Sequence, residues 1–335
     1  MTQIGIVGTG AWATTLGILL ARTGNNTTLW SRSDSRAAEL TTARVNERSV
    51  PGVAFPESMT VTDSLDVALG NAELVLVVVP SITIRENVRN IRDAIPTTTN
   101  VVCATKGIEI STGQRMSQVI TDEMPEFPAD QIGVLSGPNL APEIAAGNVA
   151  SATVAFPSDS IAENVQAMLS SELFRVYRSE DVTGVELGGA LKNIIAIGAA
   201  FIDGAGLGAN AKAAYVTRGL HEITRLGVAM GAKPDTFAGL SGMGDLLTTC
   251  YSNLSRNYRL GLGLASGQDL ASVLKDLGQT AEGAPTTQAA VRLATELGIE
   301  MPITAATHAV LFEGASPSDA IRDLMGRTLQ PEVRY

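Results

Sequence analysis

Two lysines stand where an amine can do acid–base work. Lys192 lies within Gly188-Gly189-Ala190-Leu191-Lys192-Asn193-Ile194-Ile195-Ala196-Ile197-Gly198, where it and Asn193 are the only strongly polar side chains. A helix apolar on nearly every side is buried in a core or between domains. An ammonium there is costly unless it is partnered or its pKa falls, so a chain that keeps one has a use for it. The plainer alternative buries the stem and leaves the ammonium in water. Reducing a ketone by hydride leaves an alkoxide that must take up a proton, and oxidation needs the same proton removed. A lysine of tunable pKa suits either direction, which makes Lys192 the candidate general acid and base. Lys106, in Ala104-Thr105-Lys106-Gly107, is the second candidate. It ends a predicted strand, on the edge where open α/β sheets bind ligands; a lysine in a surface loop is its ordinary reading.

Other groups can serve these amines. Gly239-Leu240-Ser241-Gly242-Met243-Gly244-Asp245-Leu246 places one acid in a glycine-rich turn, where Asp245 can orient Lys192. Ser255-Arg256-Asn257 offers a hydroxyl, a guanidinium and an amide in succession, the donors that a phosphate monoester needs, although a surface turn explains the tripeptide equally well. Gly8-Thr9-Gly10-Ala11-Trp12-Ala13 follows a buried-strand pattern and leads into a helix. Gly8 and Gly10 permit a tight turn whose backbone N–H groups approach a pyrophosphate, while Ala13 replaces the third glycine of that pattern. After the second predicted strand comes Arg32, a better partner for a 2′-phosphate than for a free ribose; this favours NADP, and nearby Asp34 leaves NAD open.

These residues need a sheet and helices to position them. Short β-branched runs alternate with helical stretches at Gln3–Val7, Thr27–Ser31, Leu74–Val79, Asn100–Ala104, Ile132–Ser136, Thr153–Phe156 and Phe174–Tyr177. The pattern predicts a Rossmann-like α/β domain with a mainly parallel, doubly wound sheet, over residues 1–184. From about Gly184 the strands give way to Ala/Leu/Gly-rich helical stretches, so residues 185–335 form an all-α domain for substrate and dimerisation. A chain of 335 residues, 45% hydrophobic, is expected to fold as two domains.

The net charge of −10 argues against nucleic acid or anionic membranes as partners. The chain runs from Met1 straight into its first strand, so no export leader is expected. The apolar runs Leu74–Val79 and Ile194–Ile202 read as core, too short to span a bilayer. Cys103 and Cys250 lack the close pairing of metal or disulfide frameworks, which fits a reduced cytoplasm, and no metal site is expected.

Taken in order, the segments resemble the NAD(P)-dependent glycerol-3-phosphate dehydrogenase family from Gly8 to about Gly326. The glycine turn is followed by Val79-Pro80-Ser81, Ala104-Thr105-Lys106-Gly107, Ser136-Gly137-Pro138, Lys192-Asn193 within Gly188–Gly198, Gly206–Ala211, Gly244-Asp245-Leu246, Ser255-Arg256-Asn257 and Glu282-Gly283. The resemblance implies interconversion of dihydroxyacetone phosphate and sn-glycerol 3-phosphate with NAD(P)H, feeding phospholipid synthesis, by a homodimer. It implies that Lys192 gives and takes the proton and that Lys106 holds substrate beside the nicotinamide. Gly137, Asn139, Asp245, Ser255, Arg256 and Asn257 would line the substrate pocket, with Arg256 and Asn257 on the phosphate. Trp12, Arg32, Lys106, Ala141, Arg256, Thr280 and Glu282 would approach the cofactor beside Gly8, Gly10 and Ala11. The chain departs from the family at Ala11, Ala13, Asn139 and Leu140, where a hydroxyl, glycine, Ser or Thr, and Phe are usual. Two rival readings share the plan: a dehydrogenase of a β-hydroxy acid, and a non-catalytic NAD(P) sensor.

Overall fold

The computed structural model describes residues 1–278, 280–329 and 331–332. Ten strands occur in its first part: β1 (Gln3–Val7), β2 (Asn26–Trp30), β3 (Val45–Asn46), β4 (Val50–Ala54), β5 (Met59–Thr62), β6 (Leu74–Val77), β7 (Asn100–Cys103), β8 (Ile132–Ser136), β9 (Ala150–Ala155) and β10 (Phe174–Ser179). Eight of them make one sheet in the order β10-β9-β8-β7-β6-β1-β2-β5, and β3 and β4 pair separately. Every neighbouring pair in the large sheet is parallel except β8 with β9. The helices between strands are α1 (Ala11–Arg22), α2 (Asp34–Ala43), α3 (Leu65–Leu69), α4 (Ile84–Ile91), α5 (Met116–Glu123), α6 (Ala141–Ala145) and α7 (Asp159–Leu169).

Helices on both faces explain why β6 reads Leu-Val-Leu-Val without alternation, since every residue is buried. One face packs Ile4, Ile6, Leu16, Leu20 and Leu29 together. The other gathers Val7, Val75, Val77, Ile84, Val88 and Val119. Each such side chain, fully buried, contributes about 1.5–3 kcal/mol. The chain leaves β1 toward β2 on one side and later enters β6 on the other. The crevice therefore opens beyond the carboxyl ends of β1 and β6, the switch point where such sheets take ligands.

Beyond β10 the described residues form helices and their connections: α8 (Val182–Gly204), α9 (Gly208–Ala229), α10 (Pro234–Phe237), α11 (Asp245–Cys250), α12 (Arg256–Ala265), α13 (Leu270–Leu277), α14 (Gly283–Leu297), α15 (Pro302–Phe312) and α16 (Pro317–Met325). α8 is the axis, with α9, α11, α12 and α14 against it. Close approach to α12 depends on glycine: a Cβ on Gly261 would collide with the Ile197 carbonyl, and one on Gly204 with Ala265. The expectation that no apolar run reaches membrane length is corrected here. α8, at 23 residues, is long and apolar enough to cross a bilayer, but its apolar window is wholly buried inside the protein. The helix is longer than the apolar run because it starts at its Asp181 cap and carries buried Glu186 in its second turn.

Candidate active site

The glycine turn joins β1 to α1 by sterics. Gly8 has φ +121°, and a side chain there would meet the Val78 carbonyl, so only glycine suits the position. A Cβ on Gly10 would instead enter open space in front of α1, whose first N–H groups no side chain caps. That combination fits a dinucleotide pyrophosphate drawn to the positive end of the helix. Ala13 is fully buried, the small residue that tight helix–strand packing needs. Asn46 braces the turn from below, donating 3.0 Å to the Thr9 carbonyl and 2.8 Å to Thr14 Oγ1, while Arg36 donates 2.5 Å to its Oδ1. Neither Asn46 nor Arg36 was legible as a site residue, for each is an ordinary polar residue in a polar stretch.

The lysines converge on one carboxylate. Lys192, 6% exposed, sits midway along α8. Its Nζ lies 2.9 Å from Asp245 Oδ1 and donates 2.5 Å to Thr249 Oγ1. Lys106 Nζ reaches Asp245 Oδ2 at 2.5 Å and donates 3.1 Å to the Gly137 carbonyl. Asp245 thus joins a lysine from the sheet's carboxyl edge to one from the helical region. It is aimed by a widened π turn over Leu240–Gly244, a local irregularity that often marks functional positions. Gly189 keeps the junction close, because a Cβ there would strike Ser136 Oγ. Burial drags the Lys192 pKa from its usual 10.5 down to about 8; Asp245 opposes the fall, and Lys106 adds to it.

The Ser255-Arg256-Asn257 tripeptide starts α12. Ser255 Oγ accepts from Tyr258 N at 3.2 Å as the N-cap, leaving its own proton to donate. Asn257 donates 2.8 Å to Asn193 Oδ1 and accepts 2.8 Å from Gly283 N, locking α12 and α14 onto α8 beside Lys192. Arg256 keeps exposed surface, yet crowding by surrounding protein disfavours its charge, an effect that Glu282 opposes. Glu282, just ahead of α14, reaches the sheet's carboxyl edge, accepting from Ser81 N at 3.1 Å and also from Ser81 Oγ. Burial raises its carboxyl pKa, against the pull of Ser81 and Arg256.

Other expected residues lie apart from the lysine cluster. Arg32 follows β2, 57% exposed, and pairs with Glu86 at 3.1 Å. Trp12 packs on Phe174, with ring centroids 6.4 Å apart. Asn139 donates 3.1 Å to the Ser151 carbonyl, and its buried Oδ1 has no partner among the described residues. Ala11 opens α1 and Ala141 opens α6, whose first carbonyl accepts from Thr15 Oγ1 at 3.2 Å. Thr280 is half-buried just ahead of α14. Three residues that bond expected site residues were missed: Thr249, which meets Lys192 and Asp245, Asn193, which meets Asn257, and Ser81, which meets Glu282. For Thr249 the spacing held a signal, since it follows Asp245 by one helical turn and shares its face.

Comparison with known proteins agrees with this geometry. Residues 3–162 match the model of the NAD-dependent glycerol-3-phosphate dehydrogenase N-terminus, and residues 181–322 match that of its C-terminus. The glycerol-3-phosphate dehydrogenase [NAD(P)+] of Bacillus anthracis is 45% identical over 99% of this chain and 98% of its own length. That of Bacillus cereus is also 45% identical over the same shares. The crystal structure of glycerol-3-phosphate dehydrogenase from Coxiella burnetii superposes with a TM-score of 0.92 at 37% identity, covering 97% of this chain and 98% of that one. With both halves matched and the identity running nearly end to end, the chain belongs to the NAD-dependent glycerol-3-phosphate dehydrogenase family.

Proposed function

We propose that Lys192 gives and takes the proton as this dehydrogenase interconverts dihydroxyacetone phosphate and sn-glycerol 3-phosphate, the hydride coming from or going to a bound nicotinamide. The observation that carries this assignment is the Lys192–Asp245–Lys106 array at the mouth of the sheet crevice, with Lys192 and Asp245 buried and Lys106 half-buried. In reduction, the Lys192 ammonium donates from Nζ to the oxygen of the central carbon; in oxidation, the free amine takes that proton back. Asp245 steadies the ammonium, and Thr249 fixes its direction. Lys106 holds the substrate oxygen side, with Gly137 fixing the lysine through its carbonyl. Ser255, Arg256 and Asn257 take the phosphate, where a guanidinium and an amide offer charge-assisted and neutral bonds together. Enclosure by α8, α11 and α14 keeps water from competing for the proton.

Residues 1–184 hold the dinucleotide and residues 185–335 the substrate, with α8 crossing between them. Gly8, Gly10 and Ala11 take the pyrophosphate; Trp12, Ala141, Thr280 and Glu282 border the dinucleotide. The exposed guanidinium of Arg32 beside β2 supports a preference for NADP. The buried, unpaired thiols of Cys103 and Cys250 accord with a reducing cytoplasm. Exposed Leu207, Val228 and Leu297 on the helical half support a homodimer, and the product serves phospholipid synthesis. Lys192→Ala tests the central assignment. Cofactor binding, followed by nicotinamide fluorescence, should persist while turnover falls about 100-fold or more, the scale of a lost acid–base group. Near-normal turnover would remove Lys192 from the mechanism.

A further inference from the structure

A second buried lysine lies outside the array just described. Lys212, in the first turns of α9, is 6% exposed and has no place in the proton transfer. Its Nζ donates 2.5 Å to Asp203 Oδ2 at the end of α8. The same ammonium sits 4.2 Å from the ring centroid of Tyr251 and 4.8 Å from that of Tyr258. Tyr258 OH also donates to Asp203 Oδ2, at 2.5 Å. One cation is therefore enclosed by a carboxylate and two aromatic faces, each of which attracts it.

The positions of the two tyrosines give this cluster its meaning. Tyr251 is the C-cap of α11, two residues after Thr249, and Tyr258 lies in the first turn of α12, immediately after Asn257. Between them runs the connection that carries Ser255, Arg256 and Asn257. Both ends of that connection rest on one ammonium, which is itself fixed to α8, the helix that bears Lys192.

We propose that Lys212, with Asp203, Tyr251 and Tyr258, is a positioning unit that sets the distance between the phosphate-holding residues and Lys192. This rests on the assignment of Arg256 and Asn257 to the phosphate. Lys212 touches neither substrate nor cofactor. It acts by holding the 251–258 connection in register with α8, so its loss loosens phosphate capture before it alters the proton transfer.

The test is Lys212→Met, which keeps the stem and removes the charge. The KM for dihydroxyacetone phosphate should rise about tenfold, the size of one lost charge-assisted bond, with kcat and the NAD(P)H KM little changed. Selectivity for dihydroxyacetone phosphate over unphosphorylated dihydroxyacetone should fall by a similar factor, and Lys212→Arg should recover part of it. A purely structural role predicts instead a lowered Tm with kcat and both KM values worsening together, and that result overturns the proposal. Should Lys212→Met fail to fold, Tyr258→Phe decides, because it removes only the hydroxyl bond to Asp203; an unchanged KM and selectivity would refute the unit. Arg256→Ala run in parallel separates the two ideas. If it spares phosphate selectivity, the phosphate assignment fails; if it destroys selectivity while Lys212→Met does not, only the positioning unit fails.

Discussion

Lys192 illustrates how much a single side chain can disclose and where disclosure stops. Its oddity inside an apolar run was visible in the sequence, because a buried charge must be accounted for. Asp245 could be named as its partner from the glycine-rich turn, but Thr249, 57 residues away, was not named, nor was the meeting of Ser81 with Glu282 across 201 residues. The Thr249 position follows from its one-turn spacing after Asp245, whereas the Ser81–Glu282 pairing arises from the fold and no local pattern encodes it. The environment of Lys192 makes a directional claim about pH. With the amine near half protonation at about pH 8, kcat/KM for ketone reduction should fall as pH rises through that value, because the donor is the ammonium. Alcohol oxidation should rise over the same interval, because the acceptor is the free amine. Asp245 holds the pKa up, so residual activity of Asp245→Asn should show both inflections at lower pH; inflections that stay in place would detach Asp245 from the proton. Arg32 supports a separate expectation. Arg32→Ala should lower the NADPH-to-NADH ratio of kcat/KM by about tenfold, the worth of a charge-assisted contact to the 2′-phosphate. An unaltered ratio would assign cofactor preference to other residues.

Among the elements, the central strands and the β10 edge were legible and the β5 edge was not. β1, β6, β7 and β8 are largely apolar runs rich in Val, Ile and Leu because both faces are covered. The β3–β4 hairpin and β5 escaped notice: Pro51 and Gly52 interrupt β4, and β5 is a four-residue edge strand with alternating burial. The reversal of β9 against β8 was also hidden, for strand direction depends on the path of the connection and not on the composition of the strand. One helix start is secured from far away. Glu222 on α9 accepts from Ile303 N at 2.8 Å, Thr304 N at 2.7 Å and Thr304 Oγ1 at 2.7 Å, capping α15. Burial raises the Glu222 pKa, and these donors resist the rise. Glu222→Ala should therefore cost about 2–4 kcal/mol by leaving buried donors unpaired, with Glu222→Gln milder, as read by urea denaturation. Equal stability of wild type and Glu222→Ala would mean that α15 needs no external cap.

Across the whole molecule, sheet and helices are joined by polar ties around the crevice as well as by apolar packing. Arg115 and Ser117 converge on buried Glu186, and Arg292 donates to the carbonyls of Ile110 and Ser111 in the segment after Lys106. The two-part plan could be read from the loss of strand patterning near Gly184, but these ties could not, since each links ordinary surface-type residues far apart in sequence. At the centre lies α8, which rests on β8 and β9 on one side and is otherwise covered by helices that follow it in the chain. That order has a cost during synthesis and refolding. A growing polypeptide presents this greasy rod before α9, α11, α12 and α14 exist to cover it, and two such unfinished molecules can stick to each other. Recovery of activity after dilution from urea should therefore drop as protein concentration climbs above about 1 µM, the range in which exposed apolar intermediates aggregate. A yield independent of concentration would indicate that the later helices close around α8 faster than molecules meet.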